Sequence, residues 1–148
     1  MEGALATTDL ESLREYEEAV KQSEHNIAGH LAANLTKEFT VNGMYARALE
    51  IPQGCLLTSR VHVAEHIDIC VSGDILVKNF YFDGQEDEIR IQGFNFLPAP
   101  AGRKRIGIAQ APTLWITVDR VPEGMELQEC LDHVMVEQVE DYVKRLNP

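Results

Sequence analysis

The chain of 148 residues is long enough for one domain with a hydrophobic core and leaves little room for a second. Its apolar residues, 45% of the total, nowhere approach the roughly 20 consecutive apolar positions of a membrane helix. The net charge of −11 disfavours a nucleic-acid duplex or a membrane as partner. The acidic N-terminus lacks the basic flank and apolar run of a secretory signal, so we expect a cytoplasmic protein.

Residues 1–40 are predicted to form an N-terminal helical arm. Leu10, Leu13, Tyr16 and Val20 recur at roughly helical spacing near its start. The stretch that follows is mixed in character and predicts either a short second helix or an irregular part of the arm.

Residues 41–120 are predicted to form a β-domain. Short segments rich in Val, Ile, Leu and aromatic residues follow one another, and each is bounded by turn-forming residues. This pattern is typical of an all-β sandwich or barrel rather than of alternating β and α units. The pair Asp83-Gly84 predicts a hairpin, because Gly tolerates positive φ. The predicted strands are 44–51, 55–63, 66–72, 75–82, 88–93, 105–110 and 113–118.

The tail, 121–148, is predicted to be a C-terminal helix. It either covers an open side of the β-domain or packs against a partner subunit, where it would supply part of a homodimer interface. The apolar stripe that supports this prediction consists of Leu127, Leu131, Val134, Val136, Val139 and Val143.

One run of the β-domain combines glycine, arginine and histidine at a regular spacing. It begins at Gly54 and reads GCLLTSRVHVAEHIDICVSG. The spacing of Gly54, His62 and Gly73 resembles the first motif of the cupin superfamily. Arg60 stands where that motif has its first metal-binding His, and His66 stands where it has its Glu.

A second run, GFNFLPAPAGRKRIGIA, resembles the second cupin motif. Gly93, Pro100 and Gly102 fall at the expected positions. Arg105 occupies the position of the motif's His, and Ala109 occupies the position of its Asn. The position of Arg105 would supply a metal ligand in the motif, so the resemblance supports the fold more strongly than it supports metal binding.

More widely, NGMYARALEIPQGCLLTSRVHVAEHIDICVSGDI followed by APAGRKRIGIAQAPTLWITV is similar to short stand-alone cupins often carried by bacteriophages. The resemblance implies a mainly β, single-domain cupin (jelly-roll) barrel with an N-terminal helical arm and a C-terminal helix. It also implies a homodimer or higher homo-oligomer, acting in the host cytoplasm if a phage encodes it. Where that group tends to have a His after its Trp-bearing strand, this chain has Asp119.

Strand alternation predicts which side chains enter the barrel. Arg60 and His62 point inward together, and His66, Asp68 and Cys70 do the same on the next strand, because alternate residues share a face.

The intervening residues Ile67, Ile69 and Val71 are predicted to face a packing layer on the other side. At Ser72-Gly73-Asp74 a turn is predicted to reverse the chain, since Gly makes such a turn at little cost.

A divalent metal is one candidate occupant of this interior. His62 and His66 are potential ligands, and Asp68 is a potential third. However, Arg60 and Arg105 carry permanent positive charges that repel a cation. The histidine pair can equally be a structural hydrogen-bonding feature of the barrel, so the cofactor prediction stays between none and a divalent metal.

A small anionic molecule is the other candidate occupant. Guanidinium groups bind carboxylate or phosphate through two parallel hydrogen bonds, and a barrel interior strengthens such bonds. An aromatic side chain can stack on a ring of the ligand. The predicted ligand-binding residues are Tyr45, Arg47, Arg60, His62, His66, Arg105 and Trp115.

The sequence therefore favours a non-catalytic cupin that binds a nucleotide, sugar acid or other carboxylate in its barrel. Because cupins include isomerases, dioxygenases, decarboxylases and binding proteins, two alternatives stay open. One is a metal-dependent isomerase or dioxygenase that uses His62 and His66. The other is a structural assembly protein.

Overall fold

The computed structural model describes residues 36–148. Most of the predicted helical arm lies outside the described residues, but its last residues, from Thr36, already belong to a strand. The strands are β1 Thr36–Val41, β2 Met44–Ile51, β3 Leu56–Thr58, β4 Val61–His62, β5 His66–Tyr81, β6 Glu86–Gln92, β7 Asn95–Ala99, β8 Arg103–Arg120 and β9 Met135–Val136. The helices are α1 Leu127–Val134 and α2 Val139–Leu146.

Two long strands, β5 and β8, pair antiparallel along their length and bend together, so that they belong to two half-sheets. The first half-sheet runs β1-β2-β8-β5-β7, and the second runs β3-β8-β5-β6. Ile51 and Trp115 of the first pack in one core cluster with Val77 and Ile91 of the second. The half-sheets therefore face each other across a common interior, as the predicted sandwich or barrel requires.

The bend lies at Gly73, where the sequence had predicted a reversal of the chain. That prediction is wrong: β5 continues through Gly73, and its register against β8 shifts between Cys70 and Ile75. Gly73 adopts a φ of 120°, and a Cβ there would lie 2.5 Å from Thr113 Cα and 2.7 Å from the Pro112 carbonyl oxygen. Gly is thus required for close approach of two bent strands rather than for a turn.

The predicted hairpin at Asp83-Gly84 is confirmed. The Gly84 amide, at a φ of 87°, donates to the Tyr81 carbonyl over 3.0 Å. The Asp83 carboxylate accepts a hydrogen bond from the Gln85 amide, also over 3.0 Å. This turn joins β5 to β6 and closes one end of the second half-sheet.

Side chains alternate along β5 as predicted. His66, Asp68 and Cys70 are buried on the interior face, whereas Ile67 and Val71 are each 38% exposed on the outer face. The expected packing layer over that outer face is not found among residues 36–148.

The C-terminal segment folds back on the β-domain as two short helices rather than one. The helices are separated by β9, which pairs with β4. On α1, Cys130 and Val134 pack against Tyr45, and on α2, Val139 and Tyr142 pack against Val61. Most of the apolar stripe thus covers this chain's own β-domain, the first of its two predicted roles.

In the part of the chain that the structure describes, no helix has the length and apolar character needed to cross a membrane.

Substituting Gly73 tests the bend. We expect Gly73→Ala to lower the free energy of unfolding by about 3 kcal/mol or more, because the new Cβ overlaps the β8 backbone. Gly84→Ala is the matched control: its φ is also positive, but no atom lies within 4 Å of the new Cβ, so strain alone costs about 1 kcal/mol. Urea unfolding of both variants measures the difference. Equal losses would contradict the role assigned to the close approach.

Candidate functional site

A cavity of about 250 Å³ lies between the two half-sheets. One wall is apolar and includes Leu49, Ile51, Leu57 and Val77. The ionisable side chains that line the rest are Arg47, Arg60, His62, His66, Asp68, Arg103 and Arg105. A cavity with an apolar wall and a few convergent polar groups is the usual form of a small-molecule site.

The two histidines of the first motif are stacked on each other. His62 on β4 and His66 on β5 have ring centroids 3.7 Å apart and ring planes within 10° of parallel. The spacing in the sequence had predicted that both enter the interior, and the structure brings them into direct contact.

Each histidine faces a carboxylate. His62 Nδ1 lies 2.8 Å from Asp119 Oδ1, and His66 Nε2 lies 3.4 Å from Asp68 Oδ1. His66 Nδ1 lies 3.1 Å from the Ala64 carbonyl oxygen, which only accepts hydrogen bonds, so this nitrogen carries the proton. Burial is the largest cause that lowers the pKa of His62, and the nearby His66 lowers it further, although Asp119 opposes both. His62 is therefore neutral at pH 7.

Asp68 joins the two half-sheets through a charge cluster. Its Oδ2 accepts hydrogen bonds from Arg103 Nη2 over 2.9 Å and from Arg105 Nη1 over 3.0 Å. Burial opposes ionisation of Asp68, but the His66 hydrogen bond and the two guanidinium charges outweigh it and hold the pKa of Asp68 below its usual value. The carboxylate is ionised at pH 7.

Arg105 is fixed on several sides. Its Nε donates to Asn79 Oδ1 over 2.9 Å, and its guanidinium carbon lies 5.2 Å from the centre of the Trp115 ring. Burial and repulsion from Arg103 lower the pKa of Arg105 to about 10, which still leaves it charged at pH 7. The rigid placement of this guanidinium suits oriented recognition of an anion.

Three other predicted site residues differ in whether they line the cavity and in which groups they contact. Arg47 lines the cavity, with Nε 4.0 Å from Glu38 Oε2 and without a hydrogen-bond partner among the described residues. Arg60 also lines the cavity, but ion pairs to Asp132 and Glu137 draw its guanidinium toward the C-terminal segment. Tyr45 is fully buried, donates to Glu38 and does not line the cavity.

The structure adds Asp119 and Arg103 to the site. Asp119 was visible in the sequence as a departure from the similar cupins, but nothing there paired it with His62, 57 positions away. Arg103 shares a strand face with Arg105, and strand alternation was the signal that could have found it. Its side chain is only 11% exposed.

A second cavity, of about 300 Å³, opens beside β6 and β7. It shares Asp68, Arg103, Arg105 and Trp115 with the first, so these side chains form the wall between the two. The far side of the second cavity carries Asp87 and Glu88 and is acidic.

Metal-ligating groups are present at the histidine pair. His62, His66 and Asp119 each place one ligand atom within 4.8 Å of the others. Asp68, the predicted third ligand, is instead bonded to the two guanidinium groups.

A divalent cation does not fit these residues. Catalytic metal sites usually have three protein ligands, and a ring nitrogen binds a metal along its in-plane lone pair. Three of the four ring nitrogens of His62 and His66 already face protein oxygens, and lone pairs of stacked parallel rings do not converge on one point.

No protein-family model and no curated protein matches the chain. Among solved structures, a variant of Bacillus subtilis oxalate decarboxylase matches with a TM-score of 0.55 at 11% identity, covering 69% of this chain and 27% of that chain. The formate complex of Lactobacillus farciminis oxalate decarboxylase matches with a TM-score of 0.52 at 15% identity, covering 67% and 33%. The chain thus spans about a third or less of these decarboxylases.

A cupin superfamily protein from Desulfitobacterium hafniense matches with a TM-score of 0.48 at 8% identity, covering 59% of this chain and 76% of that chain. At such identities a likeness shows the fold alone. Residues 36–148 form the predicted mainly β domain, and the likeness to the two decarboxylases shows that it shares their fold.

Removing the central carboxylate tests the charge cluster. We expect Asp68→Asn to lower the free energy of unfolding at pH 7 by about 3–5 kcal/mol, since it leaves two buried guanidinium groups without their counter-charge. Because the pKa of Asp68 is depressed in the folded state, its stabilisation is complete above the ordinary Asp pKa of about 4 and is lost as pH falls through the folded value. Urea unfolding from pH 7 to pH 2 should show the gap closing in acid.

Glu50→Gln is the matched control, because it breaks a surface ion pair with Lys37 in which both side chains are mostly exposed. We expect almost no change in the free energy of unfolding from it. A comparable loss in both variants would contradict the argument from burial.

Proposed function

We propose that this cupin-fold protein binds a small anionic molecule in the cavity between its half-sheets. The observation that carries the proposal is the charge of the lining. Arg103 and Arg105 share one carboxylate, that of Asp68, which is the only carboxylate among the described lining residues. Arg47 and Arg60 also line the cavity, and their carboxylate neighbours Glu38, Asp132 and Glu137 lie outside the lining. In an acidic protein, such a local excess of positive charge favours a small anion.

The cavity face offers polar atoms that the described residues leave unpaired. Arg47, Thr117 and Asp68 are directly opposite one another across β2, β8 and β5. Arg47 Nε and Thr117 Oγ1 have no hydrogen-bond partner among the described residues. A carboxylate or phosphate bound beside them would relieve the cost of unpaired polar groups. We place the anionic group of the ligand here, near Arg47 and Arg105.

The size of the cavity narrows the ligand class. Its volume of about 250 Å³ lies below the ~300–1,000 Å³ of pockets that hold drug-sized ligands. A sugar acid or another small carboxylate fits this volume better than a nucleotide. The apolar wall with Trp115 would contact the carbon skeleton. That a bacteriophage encodes the protein is supported by the sequence resemblance alone.

Titration with defined anions tests the proposal. Purified protein is titrated with glucuronate, citrate and AMP by isothermal calorimetry, with thermal shift as a second readout. We expect glucuronate or citrate to bind, and Arg47→Gln to weaken the affinity by about 10-fold to 100-fold, the loss of one charge-assisted hydrogen bond. Arg90→Gln is the matched control, because this exposed arginine pairs with Asp74 and does not line the cavity.

Two results would favour the alternatives. Stoichiometric metal that disappears in His62→Ala would support the metal-dependent enzyme. It would also contradict the conclusion that a divalent cation does not fit the histidine pair. No bound anion, together with unchanged assembly in a variant carrying both Arg47→Gln and Arg105→Gln, would support a structural assembly protein.

A further inference from the structure

The hydrogen bonds around the stacked histidines determine which ring nitrogen can accept a proton. Asp119 Oδ1 is a carboxylate oxygen and accepts hydrogen bonds, so the His62 ring donates from Nδ1 over the 2.8 Å contact. Its other nitrogen, Nε2, then holds an unshared electron pair and has no hydrogen-bond partner among the described residues. Both nitrogens of His66 face protein oxygens, those of Ala64 and Asp68. His62 therefore offers a basic nitrogen, whereas His66 does not.

We propose that the chain catalyses a metal-independent proton transfer in which His62 Nε2 is the general base. The substrate class rests on the proposed function: a small carboxylate with a C–H bond next to a carbonyl group. Nε2 removes the proton, and the electron pair of the C–H bond moves onto the carbonyl oxygen to give an enolate. Return of that proton from the His62 imidazolium to a neighbouring carbon, on the same face, completes an isomerisation. No oxidant, reductant or further reactant is consumed.

Asp119 is the positioning residue of this base. Its Oδ1 holds the Nδ1 proton and so directs the lone pair to Nε2, and its charge stabilises the imidazolium that forms when His62 takes up a proton. Asp119 is nearly inaccessible, with a side chain only 3% exposed, so water competes little for this bond.

The charges that line the cavity favour the same step. An enolate carries negative charge on oxygen, and guanidinium groups already fixed at the cavity wall stabilise such charge without reorganising as it develops. Arg105 is held rigidly by Asn79 and Asp68, so it needs little reorganisation as the charge develops. The His66 ring stacks on the His62 ring and so restricts the orientation of the His62 ring.

A probe that measures only proton abstraction tests the base without knowledge of the natural substrate. The ring opening of 5-nitrobenzisoxazole begins with loss of one carbon-bound proton. The concentration of its phenolate product is measured by absorbance. We expect the protein to exceed free imidazole at equal concentration by about 100-fold, in the range usual for a positioned base. His62→Gln should abolish the excess, and Asp119→Asn should reduce it. His133→Gln, at an exposed histidine outside the cavity lining, is the matched control.

The tautomer of His62 supplies an independent readout. Nitrogen-15 NMR should find the proton of neutral His62 on Nδ1 in the wild type and redistributed toward Nε2 in Asp119→Asn, a change that mere loss of stability would not produce. A proton on Nε2 in the wild type, no excess rate, a rate unaffected by His62→Gln, or a rate removed by a chelator would each overturn the proposal. Elimination without anion binding would instead count against the proposed function alone.

Discussion

The charge cluster centred on Asp68 is the interaction on which the rest of the interior depends. Asp68 lies on the first half-sheet, and both of its guanidinium partners, Arg103 and Arg105, lie on the second. The bonds therefore cross the interior and hold the two half-sheets at the distance that leaves a cavity. A core packed with apolar side chains alone would close that space. Burying three charges is costly, and it is tolerated here because each guanidinium has a carboxylate partner.

The same cluster separates two environments within one interior. On one side lie the arginine-lined cavity and the histidine pair, and on the other side lies the acidic second cavity. Asp68 takes part in both, since its Oδ1 faces His66 and its Oδ2 faces the guanidinium groups. The ring of His66 is thus held by the residue that also holds Arg105. The proposed ligand, bound near Arg105, would therefore lie close to the histidine pair, which links the proposed anion binding to the proposed base.

Two residues at positions marked by the sequence resemblance to cupins determine which polar groups the site offers. Arg105 stands where a metal-binding His is expected, and its positive charge opposes a cation in the cavity. His66 replaces the Glu, and its two nitrogens are taken up by protein oxygens. What is left is one basic nitrogen, on His62, in a positively charged and partly apolar cavity. These residues suit an anion and a proton better than a metal ion.

The sequence by itself determined the mainly β fold, the strand faces and the histidine spacing, because these depend on local periodicity and on a motif of fixed length. The alternation of residues along β5 correctly predicted that His66 and Asp68 face the interior. The pair Asp83-Gly84 correctly predicted the hairpin. The role of Gly73 was misjudged, since its φ serves the approach of Thr113, a residue 40 positions away.

Only the tertiary structure decided which polar groups meet. The pairing of His62 with Asp119, and of Asp68 with Arg103 and Arg105, joins strands distant in the sequence. The C-terminal helices buried Tyr45 and thereby excluded it from the cavity. Local pattern fixes the face on which a side chain lies, but the bend of the sheet and the docking of the C-terminal segment fix what it touches. The proposed anion site and the proposed general base both depend on those contacts.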